Sequence, residues 1–191
     1  LVKTKKSKKY QTEKMVKKLK LEELNRIDVE EFKKTEKISV VVVLDNIRSM
    51  HNVGAAFRSA DAFVMEKIVL CGITPQPPHR EINKSAIGAT ESVDWEYKKE
   101  IKNALEDLKN EGYQIVAIEQ TTESISLNKF DIKKGKYAVI LGNEVEGVSE
   151  EALPFCDFFI EIPQSGTKHS LNVSVCAGIV MWEFYKNLKN F

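Results

Sequence analysis

The chain has 191 residues, 42% hydrophobic and 30% charged, which suits one globular domain with a substantial core. No apolar run approaches the roughly 20 residues that cross a bilayer, and the lysine-rich start has no apolar stretch of the secretory kind, so neither a membrane span nor a secretory signal is predicted within these residues. The net charge of +1 hides an asymmetry: nine lysines and one acid, Glu13, fill the first twenty residues, leaving 20 basic and 27 acidic groups for the rest.

That basic arm, with Lys5, Lys6, Lys8 and Lys9, has two readings. It is an electrostatic anchor for a polyanion, or it is a disordered, solubilising tail. Residues 11–25 carry Met15, Val16, Leu19, Leu21 and Leu24 partly at helical spacing, which predicts a short amphipathic helix. Asp28–Lys34 predicts a further turn or two. Ile38–Leu44 (ISVVVVL) is a nearly unbroken β-branched run, the pattern of a strand covered on both faces as in a parallel sheet. Helices are then predicted at Asn52–Phe63, Arg80–Ala86 and Glu100–Asn110, and strands at Lys67–Cys71, Ser92–Tyr97, Tyr113–Ile118, Lys136–Leu141 and Asp157–Ile162. A last apolar helix is predicted at Leu171–Lys186. The alternation predicts an α/β fold with a mostly parallel sheet flanked by helices.

Cys71, Cys156 and Cys176 are far apart and odd in number, and His51, His79 and His169 are isolated. This pattern offers no disulfide framework and no metal site, and it favours a reducing, cytoplasmic setting.

Ligands of such sheets bind in the loops beyond the carboxyl ends of the strands. Three polar or glycine-bearing loops fit: DNIRSMHN after Leu44, GNEVEG after Leu141 and PQSGTKHS after Ile162. Asn52 has the chemistry of a helix N-cap. Arg58 has two readings, an ion pair with Asp61 or a guanidinium aimed at a phosphate or a reacting hydroxyl. GNEVEG permits a tight turn with exposed amides, but the chain has neither a P-loop nor a GxGxxG, and Glu144 and Glu146 suit a ligand bearing positive charge or hydroxyls. Ser170 has the chemistry of a cap for the last helix. Asn172 interrupts its apolar face and, if buried, needs partners.

Together, HNVGAAFRSADAF (51–63), VILGNEVEGVS (139–149) and IPQSGTKHSLNVSV (162–175) resemble the three motifs of the SpoU (TrmH-type) RNA ribose 2′-O-methyltransferases of the SPOUT class. SAIGATESVDW (85–95) resembles the segment between the first two motifs. The resemblance spans about Ile38 to Tyr185. It implies a C-terminal deep trefoil knot, a rare exception to the rule against knots, and S-adenosylmethionine bound in that knot. It implies tRNA or rRNA as substrate and a homodimer with shared active sites. Carried over by position, Arg58, Glu144, Ser170 and Asn172 are the catalytic set. Gln120, Leu141, Gly142, Asn143, Gly147, Ile162, Pro163, Ser170 and Leu171 hold the cofactor. Arg48, His51, Asn52 and the arm lysines face RNA. The expected division is a lysine-rich extension, residues 1–36, too short for the RNA-binding domain of many relatives, and a methyltransferase domain, residues 37–191. A non-catalytic RNA-binding relative and an unrelated α/β nucleotide-binding module are the competing readings.

Overall fold

The computed structural model describes residues 16–189. Lys5, Lys6, Lys8 and Lys9, and the first part of the helix expected over 11–25, lie outside these residues. From Val16 on, that helix does not form: residues 16–20 are irregular and one 3-10 turn follows at Leu21–Leu24. Val16, Leu19 and Leu24 are exposed, so these three residues of the predicted apolar face are not packed on the domain. A helix this short is marginal without such packing.

The body is a seven-stranded, wholly parallel sheet. Its strands are β1 (Ile38–Asp45), β2 (Met65–Cys71), β3 (Asp94–Lys98), β4 (Gln114–Ile118), β5 (Ile125–Ser126), β6 (Tyr137–Leu141) and β7 (Phe158–Glu161). Their order is β3-β2-β1-β6-β4-β7-β5. The helices are α1 (Val29–Lys34), α2 (Met50–Ala62), α3 (Arg80–Ala86), α4 (Ala89–Ser92), α5 (Ile101–Asn110) and α6 (Val173–Lys189). Ser92, expected to open a strand, instead closes α4, and the strand starts at Asp94. The short α4 and the two-residue β5 carry too few residues to show a period.

Both faces of the sheet are covered. Val40, Val42 and Leu44 of β1 point into the core beneath α2, α3 and α6, while Val41 and Val43 point into the core beneath α5. This period-two split explains why β1 reads as continuously apolar. Phe184 of α6 is fully buried and meets Tyr137 edge-on, ring centroids 5.2 Å apart, pinning the last helix to β6. Because every strand runs the same way, the loops after β1, β4, β6 and β7 emerge at one edge of the sheet. No helix among the described residues is long and apolar enough to cross a membrane.

Candidate functional site

At that edge lies a cleft of about 290 Å³. Its walls come from Ile118–Gln120 at the end of β4, from Leu141–Glu144 and Gly147 at the end of β6, from Ile160–Ile162 and Gln164 at the end of β7, and from Ser170–Val173 and Cys176 at the start of α6. Among the described residues its lining includes three carboxylates, Glu119, Glu144 and Glu161, and no lysine, arginine or histidine.

The turn after β6 is built from its own backbone. Asn143 and Gly147 exchange two N–H···O bonds of 2.9 and 3.0 Å. The Asn143 Oδ1 accepts from the amides of Val145 and Glu146, and its Nδ2 donates to the Asn46 carbonyl at 2.7 Å. Glycine is obligatory twice here. A Cβ on Gly142 would stand 2.1 Å from backbone atoms of Gly147 and Val148. Gly147 has φ +74°, and a Cβ there would meet the Glu119 carboxylate at 2.1 Å.

Glu144 joins the three motif loops. Its carboxylate accepts from the amides of Arg48 and Ser49, both at 3.1 Å, and from Asn52 Nδ2 at 3.0 Å. The Asn52 Oδ1 in turn accepts from Asn172 Nδ2 at 3.3 Å. Partial burial works against the Glu144 charge, but these N–H donors outweigh it and hold its carboxyl below the usual range. Asn52 is therefore not a cap. Ser49 caps α2, its Oγ accepting from the Asn52 amide, and Asn52 sits in the first turn, 9% exposed, with its side chain turned to Glu144. Nor does Ser170 cap α6. Asn172 is exposed rather than buried, and its Oδ1 accepts from the amides of Ser174 and Val175, while its carbonyl starts the helical ladder at Cys176. The helix thus opens two residues later than expected.

The remaining candidates are spread around this centre. Gln120, Leu141, Gly142, Asn143, Gly147, Ile162, Ser170 and Leu171 all line the cleft; Pro163 does not. Gln120 Nε2 donates to the His169 carbonyl at 2.8 Å, tying the β4 loop to the loop before α6. Arg48 and His51 are exposed and outside the cleft lining, with His51 Nε2 3.6 Å from Glu81. Arg58 is exposed on α2, outside the cleft lining, with no hydrogen bond or ion pair among the described residues. Its supposed partner Asp61 accepts from Ser92 Oγ at 2.5 Å, which leaves the ion-pair reading without support. The expected set omits Glu119, Glu161, Gln164, Val173 and Cys176, all of which line the cleft. Glu119 and Glu161 were accessible to a simple rule, since both stand where strands β4 and β7 end at the ligand edge. Burial pushes the Cys176 thiol up to about 11, so it behaves as an apolar wall.

This geometry accompanies a match to a known family. The sequence pattern of the SpoU rRNA methylase family fits residues 39–182, which contain all three loops. The chain belongs to this family. Among its relatives, a protein of Borreliella burgdorferi named as an uncharacterized tRNA/rRNA methyltransferase is 34% identical over 160 residues, 84% of this chain and 69% of the relative. The 23S rRNA (guanosine-2′-O-)-methyltransferase RlmB of Coxiella burnetii is 32% identical over 156 residues, 79% of this chain and 60% of the relative. Of solved structures, the A. aeolicus TrmH/SpoU tRNA modifying enzyme superposes with a TM-score of 0.75 at 27% identity, covering 84% of this SpoU chain and 82% of that one. The AdoMet-bound rRNA methyltransferase of Sinorhizobium meliloti gives 0.75 at 25% identity, covering 82% of this chain and 60% of that one. This SpoU chain therefore spans about 60% of the length of several relatives it matches.

Proposed function

We propose that the protein transfers a methyl group from S-adenosylmethionine to a ribose 2′-hydroxyl of tRNA or rRNA. The observation that carries this reading is the hydrogen-bonded chain Glu144–Asn52–Asn172, which draws the three family motifs to the mouth of one cleft. The cleft fits the donor. S-Adenosylmethionine bears a net positive charge, and the lining offers carboxylates without a competing cation. Ile118, Leu141, Ile160, Ile162 and Leu171 give apolar surface for an adenine ring, and Gly142 and Gly147 keep the backbone bare where a Cβ would fill the turn.

Bound there, S-adenosylmethionine supplies an electrophilic methyl on a sulfonium leaving group. The work left to the protein is positioning and stabilising an oxygen nucleophile. Arginine stays protonated, so Arg58 acts by charge: it stabilises the forming alkoxide or holds the adjacent phosphate. Ser170 lines the cleft and makes no hydrogen bond among the described residues, leaving its hydroxyl available to the substrate. Glu144 and Asn52 orient Asn172.

The same reading includes a homodimer. Val175, Ile179 and Trp182, at helical spacing on α6, are exposed. Their helix packs beside α2: Trp182 meets Phe63, which ends α2, at 5.7 Å, and a Cβ on Gly178 would lie 3.9 Å from Ser59. A second copy seated on this stripe would receive Arg58 and so complete its own cleft. It also includes the trefoil knot implied by the family resemblance. The place of β7 between β4 and β5 favours a C-terminal segment passing between parts of the chain laid down earlier. Residues 1–36 then serve as a lysine-rich RNA arm, residues 37–191 as the methyltransferase domain, and the cytoplasm is the site of action.

Two measurements test the activity. Calorimetric titration with S-adenosylmethionine is expected to show one site per chain. Tritiated-methyl transfer to bulk tRNA and rRNA, followed by mapping of alkali-resistant linkages, is expected to place label on ribose. Donor binding without transfer to either RNA would favour the non-catalytic relative, and absence of donor binding would sink the reading.

A further inference from the structure

The turn that faces the donor is gripped from outside as well as from within. It follows β6, whose neighbours in the sheet are β1 on one side and β4 on the other. Each neighbour ends in a carboxylate. Asp45 is the last residue of β1, and Glu119 follows the last residue of β4. Glu119 Oε2 accepts from the Val148 amide at 2.8 Å, and Asp45 Oδ2 accepts from the Ser149 amide at 2.7 Å. Two consecutive loop amides are thus held by acids from the two flanking strands.

The two acids are otherwise unlike. Glu119 lines the cleft, so its loss would alter direct contacts with a ligand. Asp45 is fully buried and outside the lining. Its second oxygen, Oδ1, accepts from Asn46 Nδ2 at 2.8 Å. Asn46 then reaches further: its Oδ1 accepts from the Ile73 amide at 3.1 Å, and its carbonyl receives Asn143 Nδ2. Asp45 faces a donor at each oxygen, so only a carboxylate satisfies both. An asparagine has one acceptor oxygen and would set its NH₂ against a donor. A fully buried carboxylate with no ligand contact is costly to keep unless its hydrogen bonds matter.

We propose that Asp45 is a positioning residue for methyl transfer, holding the 142–149 turn against the donor from behind, with Glu119 as the opposing grip. The inference rests on the cleft being the donor site. It predicts a selective defect. Asp45→Asn should weaken S-adenosylmethionine binding about tenfold and raise its KM alike, while kcat at saturating donor and RNA affinity stay within about twofold. A residue that merely supports the fold would lower every parameter together with the melting temperature.

The experiment pairs calorimetry with initial-rate kinetics on the wild type, Asp45→Asn and Asn46→Gly. Asn46 sits at φ 54°, where glycine keeps the backbone, and its loss should reproduce a milder form of the same split, about threefold. Hydrogen exchange on the wild type needs no variant, and the Ser149 amide should be protected in the absence of donor. Unchanged donor affinity in a folded Asp45→Asn protein, a uniform loss of all parameters, or a freely exchanging Ser149 amide each overturns the inference. A wild type that binds no S-adenosylmethionine overturns the donor-site reading and the inference with it.

Discussion

The two glycine-bearing loops of the cleft are made in opposite ways. The 142–149 turn is closed by its own backbone pair, by the Asn143 side chain and by acids on the flanking strands. Residues 163–172 are exposed throughout, and among the described residues one hydrogen bond, Gln120 to the His169 carbonyl, ties residues 163–170 to the rest of the molecule. One wall is preorganised and the other leaves its ordering to be met on binding, a cost drawn from ligand affinity. The division suits the proposed donor site, which would admit a bulky ligand and then enclose it.

Arg58 lies on neither wall, and removing it should have the largest effect of all. Arg58→Ala is expected to lower turnover about 10³-fold, the scale of losing a charge-stabilising donor, and to leave donor affinity within about twofold; near-normal turnover would refute its assigned role. Next comes the glycine contrast. Gly142→Ala should cost about a hundredfold in donor affinity, about 2.8 kcal/mol at 1.4 kcal/mol per tenfold, because the new Cβ strikes backbone that cannot give way. Gly166→Ala, whose Cβ meets nothing within 4 Å, should leave affinity unchanged. Equal effects in calorimetry would erase the distinction between the walls.

Glu144 gives a smaller, pH-dependent effect. Its folded carboxyl titrates below the ordinary range, so the stability that its charge contributes is fully present above the unfolded value and lost as pH falls through the lowered folded value. The gap in melting temperature between wild type and Glu144→Gln should be widest near pH 7 and shrink below the ordinary carboxylate range; a gap that widens on acidification would contradict the hydrogen-bond account. Smallest of all, Gln120→Ala should weaken donor binding by about twofold and speed amide exchange at 169 and 170 only.

Much of the frame is readable in the sequence. The β-branched run of β1, the amphipathic spacing of Ile101, Ala104, Leu105 and Leu108, and the position of ligand loops after strands all follow from local pattern. What local pattern could not supply is choice between equivalent chemistries. Ser49 and Asn52 are both competent caps, as are Ser170 and Asn172. The decision falls to Glu144, which is 92 residues from Asn52 and claims its side chain. Asp45 was hidden for the same reason. As the acid closing a buried strand it looks like a turn residue until Ser149, 104 positions later, is brought beside it. The N-terminal apolar residues failed in the other direction, since Val16, Leu19 and Leu24 stay exposed despite their spacing.

The span of the Glu144–Asn52–Asn172 chain bears on when the site can exist during synthesis. Its two links bridge 92 and 120 residues, and the last wall of the cleft comes with α6. A ribosome delivers these segments in order, and contacts of such long sequence separation close last. The strands of the sheet can pair while translation continues, but the pocket cannot close until the residues around Asn172 have emerged, so a nascent chain stalled before that point would carry the turn after β6 and a cleft still open on its α6 side.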